Sequence, residues 1–162
     1  MYVADTFNHR IQKFDSSGVF LGEWGSYGTE SGQFNYPVGI GVDSSDSNNI
    51  NVYVADAEND RIQKFDSSGV FLGKWGSYGT ESGKFKYPYS IAVDSSDNVY
   101  VVDLLNHRIQ KFNSSGVFLF TWGSKGSNNG QFEYPSGIAV DSNNNVYVAD
   151  TYNNRIQKFS QP

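Results

Sequence analysis

An all-β fold of repeated, four-stranded antiparallel sheets is predicted by three observations. First, one phrase recurs along the 162 residues: Tyr-Val-Ala-Asp starts at Tyr2, Tyr53 and Tyr147 and reads Tyr-Val-Val-Asp at Tyr100. Each copy is followed by Arg-Ile-Gln-Lys-Phe, beginning at Arg10, Arg61, Arg108 and Arg155. The last three copies are spaced by 47 residues and the first two by 51. A period of this size marks a repeat architecture, in which each unit needs its neighbours to bury its faces. Second, every unit breaks into short apolar stretches of period two, separated by Asp/Ser/Asn/Gly clusters, which is the pattern of strands and tight turns. Third, two of those stretches are apolar on both faces. A sheet with one wet face alternates apolar with polar, so two apolar faces predict sheets stacked on sheets.

The second unit illustrates the elements, named a to d. Strand a is Gly39-Ile40-Gly41-Val42-Asp43, with branched side chains on one face and glycines on the other, which suits a place where backbones crowd together. An Asp/Ser/Asn cluster follows as a turn. Strand b, Asn51–Asp56, alternates Val52 and Val54 with Tyr53 and Ala55. Glu58-Asn59-Asp60 interrupts the pattern and strand c resumes it at Arg61–Phe65. Asp66-Ser67-Ser68-Gly69 forms a hairpin turn into strand d, Val70–Trp75. A long segment, residues 76–88, then leads from the outer edge of one sheet to the inner edge of the next. Radial repetition of such sheets is a β-propeller.

Counting strands gives b-c-d, two complete a-b-c-d sets, and a-b-c. The expected blades cover residues 1–25 (lacking the inner strand), 37–76, 88–123 and 135–162 (lacking the outer strand). Three and a half blades make a half-ring. An open half-ring exposes apolar sheet at both ends and invites association. Closure by dimerisation into a six- to eight-bladed ring, a homodimer, is therefore expected.

Composition excludes several classes. No Cys is present, so there is neither a disulfide framework nor a thiolate metal site. The net charge of −5 argues against nucleic acid and anionic lipid as partners. No apolar run approaches a membrane span and no leader is visible, which leaves the cytoplasm as the default compartment.

The candidate site residues recur with the units. Arg10, Arg61, Arg108 and Arg155 lie near Asp5, Asp56, Asp103 and Asp150, so each pair is expected to staple its b–c loop; the functional alternative is a ring of guanidinium groups gripping an anion. His9 and His107, the only imidazoles, occupy equivalent places two units apart, too far to share a metal, and are expected on surface loops. Trp24, Trp75 and Trp122 are expected in the packing between blades. Asp43, Asp94 and Asp141 end the innermost strands and are the weak candidates for a cation in the channel; Asp141–Asn145 otherwise reads as a polar turn, lacking the Gly and Glu of a calcium loop. The d–a segments carry Tyr27, Tyr36, Tyr78, Tyr87 and Tyr134, and share one rim with the b–c loops that bear His9, Arg10, Arg61, His107, Arg108 and Arg155. Tyr amid Ser, Gly and Asn makes an adaptable binding surface. No cofactor is called for.

Pro135-Ser136-Gly137-Ile138-Ala139-Val140-Asp141, followed by Tyr147-Val148-Ala149-Asp150-Thr151-Tyr152-Asn153-Asn154-Arg155-Ile156, closely resembles the NHL repeat. The naming Asn-His stands at Asn8-His9 and Asn106-His107, and becomes Asn59-Asp60 and Asn153-Asn154 elsewhere. The resemblance spans the whole chain and implies a propeller, usually of about six blades. Propellers similar to this one serve as protein-binding platforms, RNA-binding modules, sensors, or in a few branches lyases and hydrolases. Near-identical units leave no visible catalytic constellation, so the expected function is a non-enzymatic scaffold binding protein or peptide on its Tyr-rich rim. The alternatives are a propeller fragment that only assembles, an RNA-binding module, and a lyase-like enzyme.

Overall fold

The structure is a computed structural model describing residues 1–43 and 50–160. Four antiparallel sheets follow one another along the chain: β1–β3 (Tyr2–Asp5, Arg10–Phe14, Phe20–Trp24), β4–β7 (Pro37–Val42, Asn51–Asp56, Arg61–Asp66, Phe71–Trp75), β8–β11 (Pro88–Val93, Val99–Asp103, Arg108–Phe112, Phe118–Trp122) and β12–β14 (Pro135–Val140, Val146–Asp150, Arg155–Phe159). Each sheet is a meander, and equivalent residues pair in the same register: Asp5 with Arg10, Asp56 with Arg61, Asp103 with Arg108 and Asp150 with Arg155. The first sheet lacks an inner strand and the last an outer one among the described residues.

Local chemistry sets each turn. At the c–d hairpin, the Asp66 carboxylate accepts the amides of Ser68 and Val70, and Gly69 takes φ +86°. The a–b turn of the third sheet repeats the device: Asp94 accepts the amides of Ser96 and Asn98. Its counterpart in the second unit falls on residues 44–49, outside the described residues. The b–c interruption is a single 3-10 turn in each unit, ended by a left-handed residue: His9, Asp60, His107 or Asn154.

The core lies between the sheets. Val52 and Val54 of β5 turn toward the first sheet, packing with Ile11, Phe34 and Phe65. Tyr53 and Ala55 turn the other way, to Val99, Val101 and Phe112 of the third sheet. A third cluster joins the third and fourth sheets through Tyr100, Val102, Ile109, Val146 and Val148. Each tryptophan meets the strand-c phenylalanine of the next sheet: Trp24 and Phe65 are 5.8 Å apart, Trp75 and Phe112 5.8 Å, Trp122 and Phe159 5.7 Å. The glycine face of β4 lies against β8, where a Cβ on Gly39 would meet the Ser90 backbone at 2.8 Å and one on Gly41 the Ile91 side chain at 2.5 Å. Glycine is required there by close approach.

One expectation needs correction. Strand d is not covered on both faces: Leu21, Leu72 and Leu119 are about half exposed, as are Val70 and Phe20. The innermost strands β4, β8 and β12 lie side by side, and the sheets fan apart toward the perimeter, so only the b and c strands of the two middle sheets are sealed on both sides.

Candidate functional site: a shared rim of linkers and b–c loops

Asp56 organises the seam between the first two sheets. Its fully buried carboxylate accepts Arg61 Nε (2.7 Å), Gln63 Nε2 (3.0 Å), Asn59 Nδ2 (2.9 Å) and the Asn35 amide (2.7 Å). The side chains so aligned then hold the linker by its main chain. Arg61 donates to the carbonyls of Thr29, Glu30 and Gln33. Asn59 donates to Gly28 O, and Gln63 both donates to Gln33 O and accepts Gly32 N–H. The third unit repeats the set with Asp103, Asn106, Arg108 and Gln110 on linker residues 79–86. The fourth repeats it with Asp150, Asn153, Arg155 and Gln157 on residues 126–133.

The guanidinium groups of Arg61, Arg108 and Arg155 are thus taken up by their own carboxylates and by linker carbonyls, and do not form a free anion-binding ring. Electrostatics follows the packing. Burial raises the Asp103 carboxyl despite its hydrogen bonds to Asn106, the Lys86 amide and Arg108. Burial also acts on Asp150, but there the Glu133 amide, Arg155, Asn153 and Gln157 outweigh it and the net shift is downward. Asp5 is lowered chiefly by its bond to Arg10.

Both histidines lie at the ends of their b–c loops, His9 half-buried and His107 buried. His9 Nδ1 accepts the Tyr36 amide at 3.2 Å and His107 Nδ1 that of Tyr134 at 3.1 Å. Asp60 does the same for Tyr87 at 2.8 Å. Burial lowers the pKa of His107, which is 9% exposed, so its imidazole accepts the Tyr134 amide in the neutral form. Asp43, Asp94 and Asp141 do not converge on a channel ion. Each accepts from its own turn and strand b: Asp43 from Asn51 and Tyr53, Asp94 from Asn98 and Tyr100, Asp141 from Asn145 and Tyr147. These bonds hold Asp141 down to about 2, the Asn145 contacts contributing most. Among the described residues no group of His, Cys, Asp or Glu is arranged to hold a metal ion.

The linker aromatics divide into two roles. Phe34, Phe85 and Phe132 are fully buried in the seams. Tyr27 and Tyr78 are two-thirds exposed on the rim, while Tyr36, Tyr87 and Tyr134 are half-buried beside the b–c loops. The latter three hold left-handed backbones (φ 61°, 60° and 48°), a costly conformation for a bulky residue, fixed by the acceptor on each amide. Ring contacts join Phe7 to Tyr36 (5.3 Å), Tyr36 to Tyr87 (6.3 Å) and Tyr87 to Tyr89 (6.3 Å). Further along, His107, Tyr134 and Tyr152 form a second group. A cavity of about 410 Å³ opens beside the first group, lined by Glu58, Asp60, Tyr78, Lys86, Tyr87 and Leu105. Tyr87 is pushed up to about 12, by burial first and then by Tyr36 and Glu58, so it remains a neutral phenol. Sequence reasoning missed Phe7, Leu105 and Tyr152 because the b–c loops vary from unit to unit, and Tyr89 because its strand-a position holds Val38 and Ser136 in the other units.

Stacked four-stranded meanders joined from outer to inner edge define a β-propeller protein. Residues 85–112 and 132–159 each match the NHL repeat. The chain is 33% identical over 75 residues to "Protein brain tumor" of Drosophila melanogaster, covering 46% of this chain and 7% of that protein. It is 36% identical over 87 residues to NHL repeat-containing protein 3 of Homo sapiens, covering 51% of this chain and 24% of that one. Among solved structures it resembles a streptogramin B lyase (TM-score 0.67, 16% identity, 99% of this chain and 51% of that). It also resembles the virginiamycin B lyase of Staphylococcus aureus (TM-score 0.64, 18% identity, 98% and 51%). These likenesses are of fold. The chain spans about half the length of the lyase structures and a quarter or less of the curated relatives.

Proposed function

We propose that this chain is a non-enzymatic binding module that takes protein or peptide on its aromatic rim. The carrying observation is the ring-to-ring run from Phe7 through Tyr36 and Tyr87 to Tyr89, with a cavity at its side. Aromatic side chains offer large contact area at low entropic cost, and such residues dominate protein-binding surfaces. Selection of a displayed random-peptide library on the folded chain tests the reading. Enriched peptides are expected to lose about tenfold or more in affinity on Tyr78→Ala combined with Tyr87→Ala, the cost of removing a binding anchor. Enriched peptides indifferent to both substitutions would overturn it.

The same module is proposed to self-assemble into a closed ring. The faces that meet at internal seams are open at the two ends. Val54, Val101 and Val148 are fully buried, while their counterpart Val3 is 38% exposed; Ile11, Ile62 and Ile109 are fully buried, while Ile156 is 65% exposed. Light scattering across a dilution series should give a mass near twice 18.0 kDa. A monomer at every concentration would rule out closure by two copies.

A further inference from the structure

The first unit carries the linker-binding set without a linker. Asp5 accepts Arg10 Nε (2.8 Å), Gln12 Nε2 (2.8 Å) and Asn8 Nδ2 (2.9 Å), the same internal geometry as Asp56 with Arg61, Gln63 and Asn59. In the other three units these side chains reach on to linker main-chain atoms; in the first, no described residue supplies them. Arg10 Nη1 turns instead to Glu23 Oε2 at 2.8 Å. Glu23 is peculiar to this unit, since the same register position holds Lys74 and Thr121 elsewhere. Phe14 is likewise incomplete. Phe65, Phe112 and Phe159 each contact a linker phenylalanine (5.6–5.8 Å) and a tryptophan of the preceding sheet, whereas among the described residues the one ring contact of Phe14 is with Phe20.

The three filled sites show what such a set recognises. Their occupants differ in side chains, Thr-Glu-Ser twice and Ser-Asn-Asn once, but all read Gly-x-x-x-Gly-x-Phe: Gly28 to Phe34, Gly79 to Phe85, Gly126 to Phe132. The contacts are to main-chain atoms, so this variation is tolerated. The glycines are fixed by conformation, with φ of 154–159° at the first and 80–83° at the second. The phenylalanine is fixed by the seam it fills.

We propose that Asp5, Asn8, Arg10, Gln12 and Phe14 form a preorganised docking site for an extended Gly-x-x-x-Gly-x-Phe segment lying outside residues 1–162. The segment is bound through its carbonyls and amides, and its Phe packs against Phe14. Glu23 occupies Arg10 until the segment arrives. The site lies on the face of the first sheet away from the second and owes nothing to the Tyr rim.

The test is titration of isotope-labelled protein with a synthetic peptide of residues 76–87, Gly-Ser-Tyr-Gly-Thr-Glu-Ser-Gly-Lys-Phe-Lys-Tyr, watched at the side-chain N–H signals of Arg10 and Gln12. Saturable shifts at these signals are expected. Replacing both inner glycines of the peptide by alanine should weaken binding about tenfold or more, because the bound backbone becomes strained; this arm leaves the protein untouched. Glu23→Gln should tighten binding several-fold by freeing Arg10. Absence of shifts at Arg10 and Gln12, or equal affinity for the alanine peptide, overturns the proposal. Shifts at these signals that track protein concentration alone would assign the site to a second copy of the chain. That result would overturn the linker proposal while supporting ring closure.

Discussion

Asp56→Ala is expected to destabilise the protein by about 3–5 kcal/mol, the cost of leaving a buried guanidinium without its charge partner. The Asp56 side chain is fully buried and that of Arg61 is 9% exposed. Removing the carboxylate unpairs Arg61, Gln63 and Asn59 together and frees the Asn35 amide, so every hydrogen bond clamping linker residues 28–35 loses its alignment. Chemical denaturation measures the loss, and amide exchange of Gly32 and Asn35 locates it. Asp5→Ala is the internal control. Its carboxylate is one-fifth exposed, aligns only side chains of its own unit and supports no linker, so its denaturation midpoint should hardly move. Equal losses at Asp56 and Asp5 would mean that the carboxylate matters only within its own b–c turn, and that linker clamping adds nothing to stability.

This contrast shows what the sequence could and could not disclose. Asp56 and Arg61 face each other across a short loop, and a strand pair joined by such a loop places them together, so the pairing was legible from spacing alone. The destination of the remaining guanidinium donors was not. They reach a linker some 30 residues earlier in the chain, and they reach its main chain, which leaves no complementary side chain to notice. Only the constancy of Gly-x-x-x-Gly-x-Phe against varied neighbours carried the signal.

Gln63 was missed for a related reason. A glutamine between Ile62 and Lys64 reads as the wet side of a strand, yet it is fully buried because the next layer is backbone rather than apolar side chain. The histidines do lie on the b–c loops, but the burial of His107 was missed because position was read by residue type. His9, Asp60, His107 and Asn154 stand in one column and share acceptor capacity, and three of them cap a linker amide. The strand order and hairpin turns were legible because Gly and Asp chemistry fixes them locally. The exposure of strand d was not, because it depends on how far the sheets diverge with radius.

Phe85→Ala is expected to cost about 3–5 kcal/mol, the range for truncating a fully buried phenylalanine. The ring lies in the cluster that joins the second and third sheets, with Tyr53, Ile62, Val99 and Val101, and its centroid is 5.6 Å from that of Phe112. Gly76 passes so close that a Cβ there would meet the ring at 2.6 Å, so on that side of the ring there is no side chain to swing into the hole. The ring anchors the linker in the seam, beside the main-chain clamp of Arg108 and Gln110. Tyr78→Ala, seven residues away in the same linker, removes an aromatic of similar size that is 69% exposed, and should change stability by no more than about 0.5 kcal/mol. Denaturation of the two variants side by side therefore separates seam from rim. A large loss at Tyr78 would tie the rim to folding and weaken it as a binding surface. A small loss at Phe85 would mean that the seams close without their linker rings, and the open face around Phe14 would then need no phenylalanine from outside.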